Sequence, residues 1–348
     1  MQYEKRKIPG ISYALTESGI ELPILDITHP LFKASIDKPN LEKLRKSIEE
    51  TGDKMVIHLK EMPSFLKNFL SQHSYIIAGF LSINKENNFL SGISTLMMKL
   101  GPGLIGNGIS KIFERRASRS ISSVTLRVRI QDICTLEAEA LIPRLIQWPE
   151  RNLCFINIGG GTASDSINTL ILILKKDPSL LRNRRIEINV LDMDTFGPAF
   201  GNNCIESLKT PGQYFDLLNI SFRYIKYNWN NPADMEDLLT TRKEWITLCS
   251  SEGGLFEYGT NEDIINNLNL LYDQTGEEMK IAGSLIKDSS SVDRGMLTIL
   301  EKTNINTRLL GMQGLQDILN KTRWVIDTAI DDNPRYVVFM LKKNHPSS

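Results

Sequence analysis

The sequence predicts an α/β protein with a doubly wound, seven-stranded, mostly parallel sheet and an antiparallel last strand, preceded by a mainly helical N-terminal domain. From about residue 150 onward, short apolar runs alternate with segments of helical spacing, which is typical of a parallel sheet covered on both faces. One apolar run ends in three consecutive glycines at 159–161 and continues as a helical pattern. The last two runs are separated only by residues 331–334, too few for a crossover helix, so their strands should be antiparallel.

The elements of this second half follow from hydrophobic periodicity and from turn signals. Helices are predicted over 164–174, 198–208, 261–271 and 315–322, with another beginning near Pro232. Strands are predicted over 153–158, 186–191, 222–229, 245–250, 279–286, 324–330 and 336–341.

The first half of the chain lacks this alternation. A helix is predicted over 41–50, mostly helical structure over 62–83 and 89–100, and helix or strand over 122–140, with glycine-containing breakers at 101–103 and 106–108. Pro149 marks the predicted boundary. The sequence thus predicts a helical domain over 1–149, which would cap the carboxyl ends of the strands and select the substrate, and a sheet domain over 150–348.

Composition limits the classes of function. Hydrophobic residues make up 41% and charged residues 24%, and 41 basic residues balance 41 acidic ones, so no nucleic-acid partner is expected. No signal peptide and no apolar run of about twenty residues is recognised, so no membrane span is expected. No group of residues has metal-ligand spacing, and the four cysteines form no CxxC pair; a reduced, cytoplasmic protein without a metal is predicted. The cysteines are Cys134, Cys154, Cys204 and Cys249.

The glycine turn at 159–161 suits a ligand that lies directly against the backbone, and three interpretations compete. A dinucleotide fold needs an acid about 20 residues after its glycines, but the first acid at a strand end, Asp192, comes much later. A phosphate-binding P-loop needs a lysine after the last glycine, and residues 162–164 supply none. The third interpretation comes from a resemblance: the pattern from Asn157 through Gly159 and Gly161 to Ala163 resembles motif I of class I S-adenosylmethionine-dependent methyltransferases.

That family usually has Asp or Glu in place of Asn157 and Gly in place of Ala163. The resemblance extends over about 150–343: the hairpin over 324–341 matches the family's antiparallel seventh strand. It implies S-adenosylmethionine as the cofactor. The loop residues that it implicates in cofactor binding are Asn157, Gly159, Gly160, Gly161 and Asp165.

Further cofactor contacts are implied at later strand ends. Asp192 would bind the two ribose hydroxyls, since a carboxylate offers two acceptor oxygens to a cis-diol. Asn228 would meet the adenine amine, and Trp229 could cover the ring face. The complete set beyond the glycine loop is Asp192, Met193, Asp194, Asn228, Trp229, Ser250 and Ser251.

The loop over 249–258 resembles the loop after strand four in the leucine carboxyl methyltransferase group, which methylates oxygen, often of a carboxylate. The similarity implies that Glu252 lies beside the sulfonium end of the cofactor and Tyr258 near a small-molecule acceptor. A carboxylate acceptor needs no base, whereas a hydroxyl acceptor would need one, with Glu252, Glu257 and Tyr258 as candidates. O-methylation is the preferred interpretation.

Other interpretations remain open. Asn157 in place of an acid, and the lack of an evident catalytic base, also suit a non-catalytic nucleoside-binding or scaffold protein, and a nicotinamide-dependent oxidoreductase is a third possibility. The apolar stretch 89–109 could line a lipophilic substrate channel or pack between the domains. The oligomeric state is left undecided. A basic run could hold an acidic ligand or form a solvated helix face; it comprises Lys111, Arg115, Arg116, Arg119, Arg127 and Arg129.

Overall fold

The computed structural model describes residues 7–32, 34, 61–83, 89–105, 114–302 and 305–344. Its main feature is a seven-stranded sheet with the order β5-β4-β3-β6-β7-β9-β8. Five neighbouring strands are parallel, and β9 runs antiparallel to both β7 and β8, which confirms the predicted fold class. The strands are β3 (Leu153–Ile158), β4 (Arg185–Asp192), β5 (Asn219–Lys226), β6 (Ile246–Ser251), β7 (Lys280–Ile286), β8 (Trp324–Ile330) and β9 (Tyr336–Lys343). A separate hairpin pairs β1 (Tyr13–Leu15) with β2 (Glu21–Pro23).

Helices cover both faces of this sheet, so its central strands are buried along their whole length. Every residue of β3 and of β6 is buried, so neither strand alternates between apolar and exposed polar residues; the polar residues Asn157, Ser250 and Ser251 are hydrogen-bonded at the strand ends. The helices are α1 (Ser64–His73), α2 (Tyr75–Ser82), α3 (Gly92–Leu104), α4 (Ile121–Gln147), α5 (Ser164–Lys176), α6 (Phe196–Leu208), α7 (Glu236–Thr240), α8 (Leu255–Tyr258), α9 (Asn261–Gln274), α10 (Arg294–Lys302) and α11 (Gly311–Leu319).

The N-terminal half packs directly on the sheet half. Buried residues of α3 and α4, such as Leu96 and Ile133, belong to the same hydrophobic cluster as Leu170 of α5. The β1–β2 hairpin lies on α6, where the Ser207 hydroxyl donates to the carbonyl of Tyr13 at 2.7 Å. Helices of the first half therefore form part of the wall of any site at the carboxyl ends of the strands.

Several elements differ from their predicted bounds. The strand predicted over 222–229 spans Asn219–Lys226, and the Tyr227 amide makes the last bond to β4 by donating to the carbonyl of Asp192 at 3.1 Å. The ambiguous segment 122–140 is the helix α4, and the helix predicted over 315–322 begins and ends earlier, as α11. The β1–β2 hairpin and α10 were not predicted from the sequence. The helix predicted over 41–50 and the breaker at 106–108 lie outside the described residues.

The basic run is not one solvated face. Arg127 and Arg129, on α4, are only 4% and 2% exposed, whereas Arg116 and Arg119 are exposed. Lys111 lies outside the described part of the chain. Buried guanidinium groups need partners. The Arg127 guanidinium donates to the carbonyl of Ser118 at 2.7 Å, and Arg129 lies at the site described next.

Three further observations bear on the predicted class of protein. All four cysteines are free and buried. Among the described helices, none is long and apolar enough to cross a membrane. Within the same described ranges, no group of three or more His, Cys, Asp or Glu side chains could hold a metal ion.

Candidate functional site

The glycine turn after β3 adopts a backbone that side chains disfavour. Gly159, Gly161 and Ala163 all have positive φ angles, of 65°, 50° and 53°. The left-handed region costs an L-residue about 1–2 kcal/mol, so Ala163 carries strain at the position where the resembling family usually has glycine. Ala163 is the N-cap residue directly before α5, so the turn directs the first backbone amides of that helix toward the loop.

The same turn is closely packed by backbone. A Cβ on Gly159 would meet the Cα of Gly254 at 3.0 Å, and one on Gly160 would overlap the Cβ of Asn157 at 2.4 Å. The loop after β6 therefore touches the glycine turn without any intervening side chain. This contact requires glycine at both 159 and 254.

Four predicted cofactor contacts lie beneath the turn. The Asn157 amide donates to both carboxylate oxygens of Asp165 at 3.0 Å and to the Ser250 hydroxyl at 2.7 Å. Ser250 in turn donates to Asp165 at 2.7 Å, and the Ser251 hydroxyl donates to the Ile158 carbonyl at 2.9 Å. All four side chains are buried, and none lines the cavity described below. In this structure they hold the ends of β3 and β6 and the start of α5 together.

Asp192, at the end of β4, faces the turn. Its Oδ2 accepts from the Gly161 amide at 2.8 Å, and its Oδ1 accepts from the Asp194 amide at 2.9 Å. Burial raises the pKa of the Asp192 carboxyl above its usual range, and these two amides oppose the shift. The carboxylate therefore lies against the glycine turn.

Asp194 links the turn to the N-terminal half. Its Oδ2 accepts from the amides of Gly92 and Gly197, each at 3.2 Å, and its Oδ1 accepts from the Phe196 amide at 3.0 Å. A carboxylate at the start of a helix is stabilised by the unpaired amides there. Asp194 thus serves both the start of α6 and the start of α3.

These elements enclose a cavity of about 290 Å³ between the N-terminal helices and the carboxyl ends of the strands. Ten of the fourteen residues predicted for the site line it. They are Gly159, Gly160, Gly161, Asp192, Met193, Asp194, Asn228, Trp229, Glu252 and Tyr258. The structure therefore brings the motifs of four different strand ends to one cavity, with the Trp229 ring 3.5 Å from where a Cβ on Gly159 would lie.

A chain of buried ion pairs crosses one wall of this cavity. Glu252 pairs with Lys99 through one oxygen and with Arg129 through the other, at 2.6 Å. Arg129 also donates to Glu257 at 2.8 Å, and Glu257 accepts from the Ser284 hydroxyl at 2.9 Å. Lys99 and Arg129 come from α3 and α4 of the N-terminal half. The network therefore joins the two halves of the chain at the cavity.

The network fixes the protonation of its two acids differently. Burial alone would raise the pKa of Glu252, but Arg129 and Lys99 outweigh it and hold that pKa below its ordinary value. For Glu257, burial prevails over Arg129 and Ser284, so its pKa is raised. The Oε2 of Glu257 has no hydrogen-bond partner among the residues that the structure describes. Glu252 is thus a fully paired carboxylate, whereas Glu257 keeps one oxygen available.

Two tyrosines complete this wall. Burial raises the pKa of Tyr258 far above its usual range, so this phenol stays protonated at neutral pH. Its ring meets Phe89 edge to face, with centroids 6.5 Å apart. The Arg129 guanidinium lies over the Tyr336 ring, 4.5 Å from its centroid. The cavity wall therefore carries the protonated Tyr258 hydroxyl together with the paired charges of Arg129 and the two glutamates.

Lys99 and Arg129 were not predicted for the cofactor or catalytic site, and Glu257 was predicted only as a candidate base. A single lysine inside the apolar stretch 89–100 was an available signal, because a buried lysine requires a partner. Nothing in the sequence indicated that the partner would be Glu252, 153 residues later.

No family model matches the chain, and no curated protein matches it. Among solved structures it is similar to an O-methyltransferase family protein from Burkholderia thailandensis, with 10% identity, 66% of this chain and 61% of that chain covered, and a TM-score of 0.40. A riboflavin-derivative dimethyltransferase from Streptomyces davawensis is 12% identical over 68% of this chain and 60% of that chain, with a TM-score of 0.39. A possible exported protein from Bordetella parapertussis is 10% identical over 89% of this chain and 100% of that chain, with a TM-score of 0.49.

The chain spans 44% to 61% of the length of the first four solved structures that it matches. Several of the matched proteins are described as methyltransferases. The TM-scores of these methyltransferases against this chain are 0.39 to 0.40. The fold assignment therefore rests on the strand order and on the antiparallel β9.

Proposed function

We propose that this protein transfers a methyl group from S-adenosylmethionine to a small-molecule acceptor, with oxygen as the preferred acceptor atom. The observation that supports this most directly is the position of Asp192, whose carboxylate lies on Gly161 and lines the same cavity as Asn228 and Trp229. The strand order, with its antiparallel β9, is the arrangement that the sequence resemblance implies. The strand order, the glycine turn and the position of Asp192 all support an adenosyl ligand.

The residues present fit an adenosyl group. A carboxylate has about four acceptor positions, and amides of Gly161 and Asp194 occupy two of them at Asp192, which leaves acceptors for two ribose hydroxyls. Trp229 supplies an aromatic face beside Gly159, and Asn228 supplies an amide on the same wall. The glycine turn lets a ligand approach the backbone.

The cofactor would supply an electrophilic methyl group on a sulfonium centre. The protein must then hold the acceptor in line and exclude water, and alignment of this kind can contribute about 7–11 kcal/mol in ideal cases. If the acceptor is a hydroxyl, Glu257 would take its proton as the O–C bond forms and the bond from the methyl carbon to sulfur breaks, since Glu252 is fully paired and Tyr258 is protonated. The raised pKa of Glu257 suits a general base.

Calorimetry with S-adenosylmethionine and S-adenosylhomocysteine tests the proposal. We expect both to bind with a micromolar dissociation constant, about −8 kcal/mol, and NAD and NADP to bind much more weakly. Binding of NAD instead would favour an oxidoreductase. If none of the four binds to folded protein, the scaffold interpretation replaces this one.

A further inference from the structure

The cavity wall has a second set of residues that the cofactor motifs do not include. These residues come from α3, α4 and α10 and from the segment before α11, and we call this part of the wall the acceptor chamber. Its apolar members are Met98, Leu126, Met296, Ile299, Leu300 and Ile305. Met98, Leu126, Met296 and Ile299 are all less than 9% exposed, so the surface is apolar and sheltered from bulk water.

The charged groups that border the chamber already have partners. Arg335 holds Asp293 through two nitrogens, at 2.5 and 2.9 Å, and donates to the Ser122 hydroxyl at 2.6 Å. Lys99 and Arg129 are taken up by the two glutamates of the ion-pair network. A charged acceptor would therefore lose its hydration without gaining a counter-ion, which costs several kcal/mol in an apolar site.

Two hydroxyl groups on the cavity wall have no hydrogen-bond partner among the described residues. The Oγ1 of Thr307 is buried without a hydrogen-bond partner among the described residues. The hydroxyl of Tyr258 likewise makes no hydrogen bond within the described part of the chain. Buried polar atoms are ordinarily satisfied, so the unpaired Oγ1 of Thr307 beside an apolar surface indicates a ligand with a polar atom to match, and the Tyr258 hydroxyl on the same cavity wall offers a second partner.

We propose that the acceptor chamber binds an uncharged, mainly apolar acceptor that carries a hydroxyl group, such as a phenol, and that it excludes carboxylates. That the bound molecule is the methyl acceptor rests on the proposed function. That the chamber binds an uncharged, hydroxyl-bearing molecule follows from the contacts above. It departs from the carboxylate acceptors implied by the resemblance of the 249–258 loop. Of the two interpretations of the stretch 89–109, a lipophilic substrate channel and packing between the domains, it favours the channel.

The test compares two probes that share a ring system and differ in charge, β-naphthol and β-naphthoate. Binding to the full chain is measured by calorimetry at pH 7, with and without saturating S-adenosylhomocysteine. We expect β-naphthol to bind at least about tenfold more tightly than β-naphthoate, because the cations that the structure describes around the chamber, Lys99, Arg129 and Arg335, are already paired with acids. Equal or tighter binding of β-naphthoate, or no binding of β-naphthol, overturns the inference.

Two variants locate the binding. Ile299→Asn places an amide in the chamber, and Leu300→Trp fills it while keeping it apolar; each should weaken β-naphthol at least about tenfold. Ile146→Asn is the matched control, since Ile146 is 63% exposed and lies outside the cavity, and it should leave binding unchanged. If both chamber variants fold and bind β-naphthol as the parent does, the ligand lies elsewhere and the inference is wrong.

Thr307→Val tests the hydroxyl. It keeps the shape and removes one hydrogen bond, so β-naphthol should bind about fivefold more weakly while naphthalene is unaffected. Binding of S-adenosylhomocysteine tests the proposed function independently of the chamber. Naphthol binding without nucleoside binding would remove the proposed function and keep the chamber, whereas nucleoside binding without naphthol binding would do the reverse.

Discussion

Gly92 of the N-terminal half lies in direct contact with Gly161 of the glycine turn: a Cβ on Gly92 would come within 3.1 Å of the Gly161 Cα. The Gly92 amide also donates to Asp194 at 3.2 Å. The start of α3 therefore rests on the turn by backbone alone. Any ligand that uses the turn is covered by residues more than sixty positions earlier in the chain, so the two halves form one binding cavity.

Gly92→Val should separate the halves at this point. Overpacking costs about 1–3 kcal/mol, and since the Cα atoms of Gly161 and Gly197 bound the space, the backbone of α3 must move. We expect S-adenosylhomocysteine to bind about tenfold or more weakly by calorimetry, with an unchanged far-ultraviolet circular dichroism spectrum. Gly276→Val is the control, because its Cβ would meet only the flexible end of Glu278. Unaltered affinity in the Gly92 variant would show that the contact is not needed.

Asp192→Ala should weaken S-adenosylmethionine by about 2 kcal/mol, roughly thirtyfold, because two ribose hydroxyls lose a charged acceptor. The loss includes the freed amides of Gly161 and Asp194. Asp192→Asn keeps one acceptor oxygen, so its affinity for S-adenosylmethionine should lie between those of the parent and of Asp192→Ala. Asp237→Ala, at an exposed position on α7, is the control. Full affinity in a folded Asp192→Ala protein would place the ribose elsewhere.

The sheet could be predicted because its strands and turns are determined by neighbouring residues in the sequence. Strands such as β3 are buried on both faces and therefore read as apolar runs, and the short link between β8 and β9 permits only an antiparallel pair. The β1–β2 hairpin was missed because its strands have three residues each. The helix α10 was missed although its apolar residues share one face, because no strand flanks it directly on both sides.

The site was only partly predictable for a different reason. Glycines and strand-end acids carry a recognisable pattern, so the turn and Asp192 could be placed on one cavity. Asn157 and Asp165 follow the same pattern, yet their side chains turn inward and bond each other, which depends on β6 contributing Ser250 from far along the chain. The pairing of Lys99 with Glu252 depends on tertiary contact alone.

The buried pair of Lys99 and Glu252 should couple the halves energetically. A double-mutant cycle with Lys99→Met and Glu252→Gln, measured by urea unfolding, should give a coupling of about 1–3 kcal/mol, because Glu252→Gln leaves the Lys99 charge buried without its counter-ion, whereas Lys99→Met leaves Glu252 with Arg129. The pair of Lys280 and Asp327 is the control; its side chains are 28% and 20% exposed, and its coupling should stay below about 1 kcal/mol. Equal couplings for the two pairs would contradict the buried network.

Glu257 should set the pH dependence of methyl transfer to a hydroxyl acceptor. A base must be ionised, so kcat/KM should fall as the pH drops through the raised pKa of Glu257. Glu257→Gln should lower kcat by about 100-fold or more and abolish that limb of the profile, while the affinity for S-adenosylhomocysteine changes little. Glu206→Gln, an exposed site on α6, is the control. A Glu257→Gln enzyme with the parental pH profile would mean that another group accepts the proton.

Glu114 should make stability depend on pH near neutrality. Its Oε1 accepts from the amides of Tyr75 and Ile76 at the start of α2, whereas its Oε2 is buried without a partner among the described residues. Burial raises the pKa of Glu114 from 4.5 to about 7. The folded state thus holds this proton more tightly than the unfolded state, and the stabilisation is complete below pH 4.5 and lost as the pH rises through about 7.

Glu114→Gln keeps an acceptor for both amides and cannot ionise. Relative to the parent, its free energy of unfolding should therefore increase between pH 5 and 8, by up to about 3 kcal/mol, as the parent loses stability. Urea unfolding at several pH values measures the difference, with Glu206→Gln again as the exposed control. A difference between Glu114→Gln and the parent that stays constant across this range would show that Glu114 does not titrate there and would contradict the prediction.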